Sequence, residues 1–442
     1  MYKQIIEELK NKNIAILGFG SEGASTYNFI RRHLDIPLTI IDKKDLQDKI
    51  HDNKVKFIFG DNYLEGLDKY DIVIKTPGIS LLGINTKNIN ITSNTELVLK
   101  YFKGLSIGIT GTKGKSTTTS LIYNIVKDQD KDTYLVGNIG IPILDNIEKY
   151  TDKTKLVIEM SSHMLEYMKV SPNIAIILNL YQDHLDHDGT VSHYHSNKLN
   201  IFKYQTANDI AIYNLDNNYL KEYMTNNKYK SKIYSISKET NSDIYLKNNK
   251  YYYKNILIYD IMDQRELLGD YNITNIVFSL ATIYLAGYNL DKARTIVKNF
   301  KPIDYRLMKV GTFREVTYYS DTLSTIPMGT ISGIEALSSV STLIFGGMDR
   351  GIDYSDLIKY LDNSSIKHFI CMPTTGYNIG EKLHDKDIYY CETLEEAVQI
   401  AVKITEKGST CLLSPAAPSY EQFKNYKEKA DKFIEYINKY AK

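Results

Sequence analysis

Ile107-Gly108-Ile109-Thr110-Gly111-Thr112-Lys113-Gly114-Lys115-Ser116-Thr117 decides the reading of this chain. An apolar run ends in a Gly-rich turn that carries two lysines and hydroxyl side chains. Between a strand and a helix, such a turn points backbone N–H groups and the positive helix end at phosphates. Lys115 is placed to neutralise β and γ phosphates, and the Ser116 hydroxyl to reach Mg²⁺. The first Gly stands one residue closer to Lys115 than in the general P-loop pattern. The competing reading, a plain strand–helix turn, leaves both lysines and the hydroxyls unexplained.

Downstream, Leu156-Val157-Ile158 reads as a strand that ends on Glu159, where a carboxylate is the expected second Mg²⁺ anchor of a P-loop enzyme. A further strand, Ile174 to Leu178, leads into Asn179-Leu180-Tyr181-Gln182-Asp183-His184-Leu185-Asp186. Ligands bind at the carboxyl ends of strands in α/β sheets. Asp183, His184 and Asp186 therefore read either as ligands or as a helix cap with a solvated face. Lys198 is a lone lysine that side-chain chemistry by itself would not select. Asn272 and Asn275, three apart at the start of a helix, suit an adenine edge or a cap.

Upstream, Ile14-Ala15-Ile16-Leu17-Gly18-Phe19-Gly20-Ser21-Glu22-Gly23 is a second strand and Gly-rich turn, with Asp42 after the next strand. This spacing favours a nucleotide or its diphosphate without identifying nicotinamide. Asp42 reads equally as a strand-end turn residue.

Short apolar runs alternate with amphipathic stretches along most of the chain: Leu38 to Ile41, Asp71 to Ile74 and Ser341 to Phe345 are others. Alternating strands and helices predict an α/β protein with parallel sheets covered on both faces. At 442 residues, two or three domains are expected. The expected division is 1–98, 99–301 and 302–442. Within the middle section, residues 228–265 are rich in Tyr, Lys and Asn and read as antiparallel hairpins of a small accessory sheet. The third section is expected to open with strands Lys309 to Val316 and Thr317 to Ser320, and to close with a helix from about Ser419 to Tyr440.

A formal charge of +1 gives no electrostatic case for nucleic acid or an anionic membrane. Three widely spaced cysteines, Cys371, Cys391 and Cys411, form no metal pattern and fit a reducing cytoplasm. No apolar run approaches the ~20 residues needed to span a bilayer. A soluble intracellular protein is expected.

Taken in order, these motifs resemble the Mur ligase family over essentially the whole chain. Gly111 to Thr117 matches its ATP loop, Gly137-Asn138-Ile139-Gly140 its substrate turn, and Glu159-Met160-Ser161-Ser162 its magnesium strand. Asn179 through Thr190, then Tyr194 and Lys198, match a stretch specific to the family. Gly269, Asn272 and Asn275 match its adenine motif. Arg306, Asp321, Gly346-Gly347, Leu413-Ser414-Pro415-Ala416, Ser419, Phe423 and Tyr426 match its C-terminal domain.

The resemblance implies three domains: an N-terminal Rossmann-like domain for UDP, a central P-loop ATPase-like domain, and a C-terminal Rossmann-like domain for the amino acid. It implies an ATP-dependent amide ligase of peptidoglycan precursor synthesis, adding D-glutamate to UDP-N-acetylmuramoyl-L-alanine through an acyl phosphate, and acting as a cytoplasmic monomer. Gly18, Ser21, Glu22, Asp42 and Asn138 would hold the UDP substrate. Gly111, Thr112, Lys113, Gly114, Lys115, Ser116, Thr117, Asn272, Asn275, Arg306 and Asp321 would hold ATP. Two Mg²⁺ sites would draw on Ser116, Glu159, His184 and a carbamylated Lys198, with Lys115, His184 and Lys198 catalytic. Thr325, Arg350, Ser419 and Tyr426 would surround the amino acid.

The sequence also departs from the family. Its His-Arg pair is Tyr305-Arg306, its D-S-K-A-T-N stretch is Asp321-Thr322-Leu323-Ser324-Thr325-Ile326, its Gly-Gly-x-x-Lys lysine is Arg350, and its late Arg-Gly is Lys429-Ala430. A paralogous ligase for another amine, such as L-glutamate, or for another acceptor, and a non-catalytic nucleotide-binding protein, are the alternatives.

Overall fold

The computed structural model describes residues 1–183, 185–301, 305–420 and 422–442, apart from the side chains of residues 49, 185 and 186. Three sheets form in two compact units. One unit comprises Met1–Met262 with Asn275–Ile296, the other Asp263–Thr274 with Val297–Lys442.

The first unit holds two sheets. The N-terminal sheet runs Val55–Ile58, Leu38–Ile41, Ile14–Leu17, Ile72–Lys75, Ile91–Thr92, all parallel. Strand order reverses at Ile14–Leu17, so its Gly-rich turn opens at the crevice where α/β sheets bind ligands. The uninterrupted apolar strands follow from burial on both faces. Ile14, Ile16, Ile40 and Ile74 enter one core cluster, while Ala15, Leu17, Ile41 and Val73 enter another. Burying each such aliphatic side chain contributes about 1.5–3 kcal/mol.

The second sheet of this unit has nine strands. Its parallel part places Leu105–Thr110 between Lys155–Glu159 and Ile174–Ile177. Register pairs Ile109 with Glu159 and Thr110 with Ile177, so three strand ends carry their following loops side by side. The tyrosine-rich hairpins form at Ile244–Lys247, Lys250–Tyr253 and Ile256–Asp260. They are not a separate sheet. Ile244 and Tyr245 pair in parallel with Ile236 and Ser237, and the hairpins extend the edge of the nine-stranded sheet. The strand Lys232–Ser237, expected among the hairpins, is parallel to Ile210–Asn214.

The second unit contains a six-stranded sheet: Met308–Phe313, Val316–Ser320, Thr410–Leu413, Val340–Phe345, His368–Cys371, Asp387–Tyr390. Leu343 and Phe345 pack on one face, Ile344 and Ile370 on the other. Only the first strand pair is antiparallel. The expected break at Val316/Thr317 falls instead at Arg314 and Glu315, both at positive φ, which is the left-handed geometry of a tight hairpin turn. The last helix is Tyr426–Tyr440, seven residues shorter than expected. Asn425 accepts hydrogen bonds from the N–H groups of Lys427 and Glu428, and this cap sets the start.

Candidate functional site

The Gly-rich turn after Leu105–Thr110 is held from behind by the chain that follows Ile174–Ile177. Asn179 Oδ1 accepts from Lys113 N at 2.8 Å, and Asn179 Nδ2 donates to Lys113 O at 3.0 Å. Tyr181 N and Tyr194 Oη both donate to Thr112 Oγ1, at 2.9 and 3.3 Å. Gly114 has φ +85°, and a Cβ there would lie 2.3 Å from Asn275 Oδ1. Only glycine lets the helix Lys115–Gln129 begin at this place. Lys115 Nζ donates to the Gly111 and Thr112 carbonyls at 2.9 and 3.0 Å, which keeps the ammonium over the loop. Ser116 and Thr117 occupy the first turn of that helix. Asn275 reaches the same region through Thr118 Oγ1, which donates to its Oδ1 at 3.3 Å. Asn272 Nδ2 donates to Leu268 O at 2.7 Å.

Glu159 lies on the adjacent strand end and is 1% exposed. Its Oε1 accepts from Asn138 Nδ2 at 2.7 Å, while Oε2 is buried with no hydrogen-bond partner. A buried carboxylate oxygen held this way is suited to a hard divalent cation. Lys198 is 1% exposed, its Nζ 4.7 Å from the Tyr194 ring centroid. Burial and then the Lys115 charge hold its ammonium far below the usual lysine range, against the pull of Asp183, Asp188 and Glu159. Burial thus favours the uncharged form of this amine more than water does. His184 lies outside the described residues, as does the Asp186 side chain.

A cleft of about 430 Å³ is lined by Gly18, Phe19, Gly20, Ser21, Glu22, Asp42, Thr76 and, from the nine-stranded sheet's side, Gly137, Asn138 and Gly140. All five residues expected at the UDP substrate are here. Gly18 has φ +90°, and a Cβ would meet Thr76 Oγ1 at 2.0 Å. Asp42 Oδ2 accepts from Phe19 N at 2.8 Å, so it pins the turn as well as facing the cleft. Asn138 links this cleft to Glu159.

Burial pushes the Glu22 carboxyl up to about 7, the charge of Lys75 opposing. A raised carboxyl contributes stability that is fully present below its ordinary value of 4.5 and is lost as pH rises through about 7. Glu22→Gln is therefore expected to raise the melting temperature at pH 8, with the gain shrinking towards pH 4.5. Equal melting shifts at both ends of that range would exclude the desolvated carboxyl.

The second unit carries its own group. Asp321, 1% exposed, accepts from Ser414 Oγ at 3.0 Å and Leu307 N at 3.2 Å. Burial pushes its carboxyl up, and the Arg306 charge draws it back. Ser419 is 5% exposed with a hydroxyl that has no hydrogen-bond partner. It lines a small cavity with Gly346, Gly347, Phe423 and Lys429. Arg350 sits 6.0 Å from the Tyr420 ring centroid rather than in that lining. Tyr426 packs edge-on against Tyr305, centroids 6.0 Å apart. Thr325 lies just before the helix Pro327–Glu335. Sequence reasoning misses Lys429 at this cavity, where its Nζ donates to Gly346 O at 3.1 Å. The signal that could have found it is a lysine on the apolar stripe of the last helix, with Ala430, Phe433 and Ile437.

Residues 109–283 match the family model described as the Mur ligase middle domain. The chain is 30% identical to UDP-N-acetylmuramoylalanine--D-glutamate ligase of Acetivibrio thermocellus, covering 98% of this chain and 97% of the relative. It is 31% identical to the protein of that name from Clostridioides difficile, covering 98% and 99%. Among solved structures, it is similar in fold to MurF ligase from Thermotoga maritima in complex with ADP, with TM-score 0.63 at 16% identity over 98% of this chain and 96% of that one.

Proposed function

The chain belongs to the Mur ligase family, and on that premise we propose that it adds D-glutamate to UDP-N-acetylmuramoyl-L-alanine, using ATP, in peptidoglycan precursor synthesis. One observation carries this reading: the Gly111–Thr117 loop and the orphaned Glu159 oxygen lie at adjacent strand ends, and the buried Lys198 amine is within electrostatic reach of both Lys115 and Glu159. Segment 1–98 would hold UDP, 99–301 ATP, and 302–442 the amino acid. The protein would act in the cytoplasm as a monomer. Among the described residues no helix is long and apolar enough to cross a membrane.

In the first step an oxygen of the acceptor carboxylate bonds to the γ-phosphorus of ATP, and the bond to ADP breaks. The glutamate nitrogen then attacks the acyl carbon, phosphate leaves with its oxygen, and the amine proton is lost. Backbone N–H groups of residues 111–117 orient the phosphates, and Lys115 leaves its carbonyl partners to offset the charge between β and γ. The Gly18 turn and Asn138, which line one cleft, would position the acceptor. Mg²⁺, held by Ser116 and Glu159 with His184 and Lys198, would supply charge neutralisation between the two anionic reactants. Lys198 fits that role as a carbamate: its free amine adds CO₂, releasing one proton, and presents a carboxylate on a long stem. Arg306, Asp321, Asn272 and Asn275 would address the nucleoside.

Phosphate release from ATP, measured with UDP-N-acetylmuramoyl-L-alanine and a panel of amines, tests the assignment. Glutamate, the D form first, is expected to be the best amine. Arg grips a carboxylate through parallel N–H bonds where Lys offers a point charge. Arg350→Ala should accordingly raise the KM for glutamate about tenfold or more and leave that for ATP nearly unchanged. The departure at Leu323, which removes a cation the family would have nearby, favours the alternative of a different amine. Neutral or basic amino acids outperforming both glutamate enantiomers would establish that alternative.

A further inference from the structure

The imidazoles of His163 and His187 stack, with centroids 3.6 Å apart and planes 17° from parallel. The Asp188 carboxylate lies beside them, its side chain 0% exposed. Asp188 Oδ2 is 3.8 Å from His163 Nε2, and Oδ1 is 3.8 Å from His187 Nδ1. Both separations are too long for hydrogen bonds. The His187 side chain is 9% exposed, yet neither of its ring nitrogens has a hydrogen-bond partner, and Asp188 Oδ2 has none. Buried polar atoms left unpaired cost about 1–3 kcal/mol each. Two His and one carboxylate thus gather without hydrogen-bonding one another.

The distances suit ligands of a shared ion. Donors at 2.0–2.1 Å from a tetrahedral Zn²⁺ stand about 3.3 Å apart. One donor atom from each of the three residues lies within 4.8 Å of the others, so small side-chain rotations close the set. Asn197 Nδ2 donates to Asp188 Oδ1 at 2.7 Å, the outer hydrogen bond that orients a ligating carboxylate. Ser80 Oγ donates to the His187 carbonyl at 3.0 Å and holds the short segment from the opposite side.

We propose that His163, His187 and Asp188 form a site for a late first-row divalent cation such as Zn²⁺, separate from the Mg²⁺ position at Glu159. Two imidazoles and one carboxylate select such an ion over Mg²⁺, which prefers oxygen donors and keeps its waters. Three protein ligands leave a fourth position for water or a ligand carboxylate. The Asp188 charge acts on both Lys75 and Lys198, so the site stands within electrostatic reach of the cleft and of the proposed reaction centre. That the open position takes the acceptor carboxylate rests on the function proposed above. The cation site itself does not.

The test uses the full-length, tag-free chain in excess Mg²⁺ and titrates it with Co²⁺, whose visible bands report low-coordinate nitrogen and oxygen ligation. One equivalent is expected to bind, with the bands retained in Glu159→Gln. His187→Phe should weaken Co²⁺ at least tenfold and abolish the bands. His163→Phe, at a less buried position, carries the same expectation if His187→Phe fails to fold, as judged by circular dichroism and melting. Absence of bands in the native chain, their survival in a folded histidine variant, or their loss in Glu159→Gln would overturn the proposal. These readouts need no turnover, so failure of the ligase assay leaves them intact.

Discussion

Lys115→Ala is expected to reduce kcat/KM for ATP-dependent phosphate release by about 10²-fold or more, the range for a contact made to charge developing in the transition state. The ammonium bridges the Gly111 and Thr112 carbonyls, so its removal also frees two loop acceptors to solvent. The loop itself should survive. Its shape is set by Asn179, Tyr181 and Tyr194 on one side and by Gly114 against Asn275 on the other. The variant should therefore melt near the native temperature and bind the UDP substrate normally. Because Lys115 is also one of the charges that depress Lys198, its loss should move Lys198 towards ordinary basicity. Near-native activity in Lys115→Ala would sink the ATP-site assignment.

Lys198→Ala is expected to be nearly inactive and to regain part of its rate with short carboxylic acids such as acetate or formate. An ammonium at this position would repel a cation held by Glu159. The carboxylate of a carbamate formed there would attract it. The Ala side chain would leave a buried space beside the Tyr194 ring. A small carboxylate added in solution can occupy it. Activity of the native chain should also fall on rigorous CO₂ removal and recover with bicarbonate, whereas Lys198→Ala should not respond to bicarbonate. A folded Lys198→Ala with native turnover, or one that no carboxylic acid rescues, would remove the carbamate from the mechanism.

How far the site is legible in the sequence differs from residue to residue. Gly18, Gly111 and Gly114 are readable because local steric demand and chain direction are encoded over a few residues. Glu159 is readable because it ends a strand at a known place in an α/β sheet. Lys198 is not readable from its own chemistry. It sits mid-helix between Asn197 and Leu199, and its depressed basicity comes from strands and loops that fold over it. Family resemblance marks it, and local physics does not. The last helix starts later than the sequence suggests: the expected start is about Ser419, while Asn425 is the residue that bonds the first turn. The hairpins are legible, but their attachment to the central sheet depends on Ile236 and Ser237 finding Ile244 and Tyr245, a pairing that local alternation does not specify.

An α/β protein with two Gly-rich turns after apolar strands is already written in the sequence, since strand patterning and turn chemistry are set by residues within a few positions of one another. Which distant side chains share a solvent-free space follows from the packing of the folded chain. It brought Asn138 onto Glu159, buried Lys198 and lowered its basicity, placed Lys429 beneath Gly346, and gathered His163 with His187 and Asp188. Desolvation and charge coupling depend on every neighbour within several ångströms, and those neighbours come from strands and loops far apart along the chain.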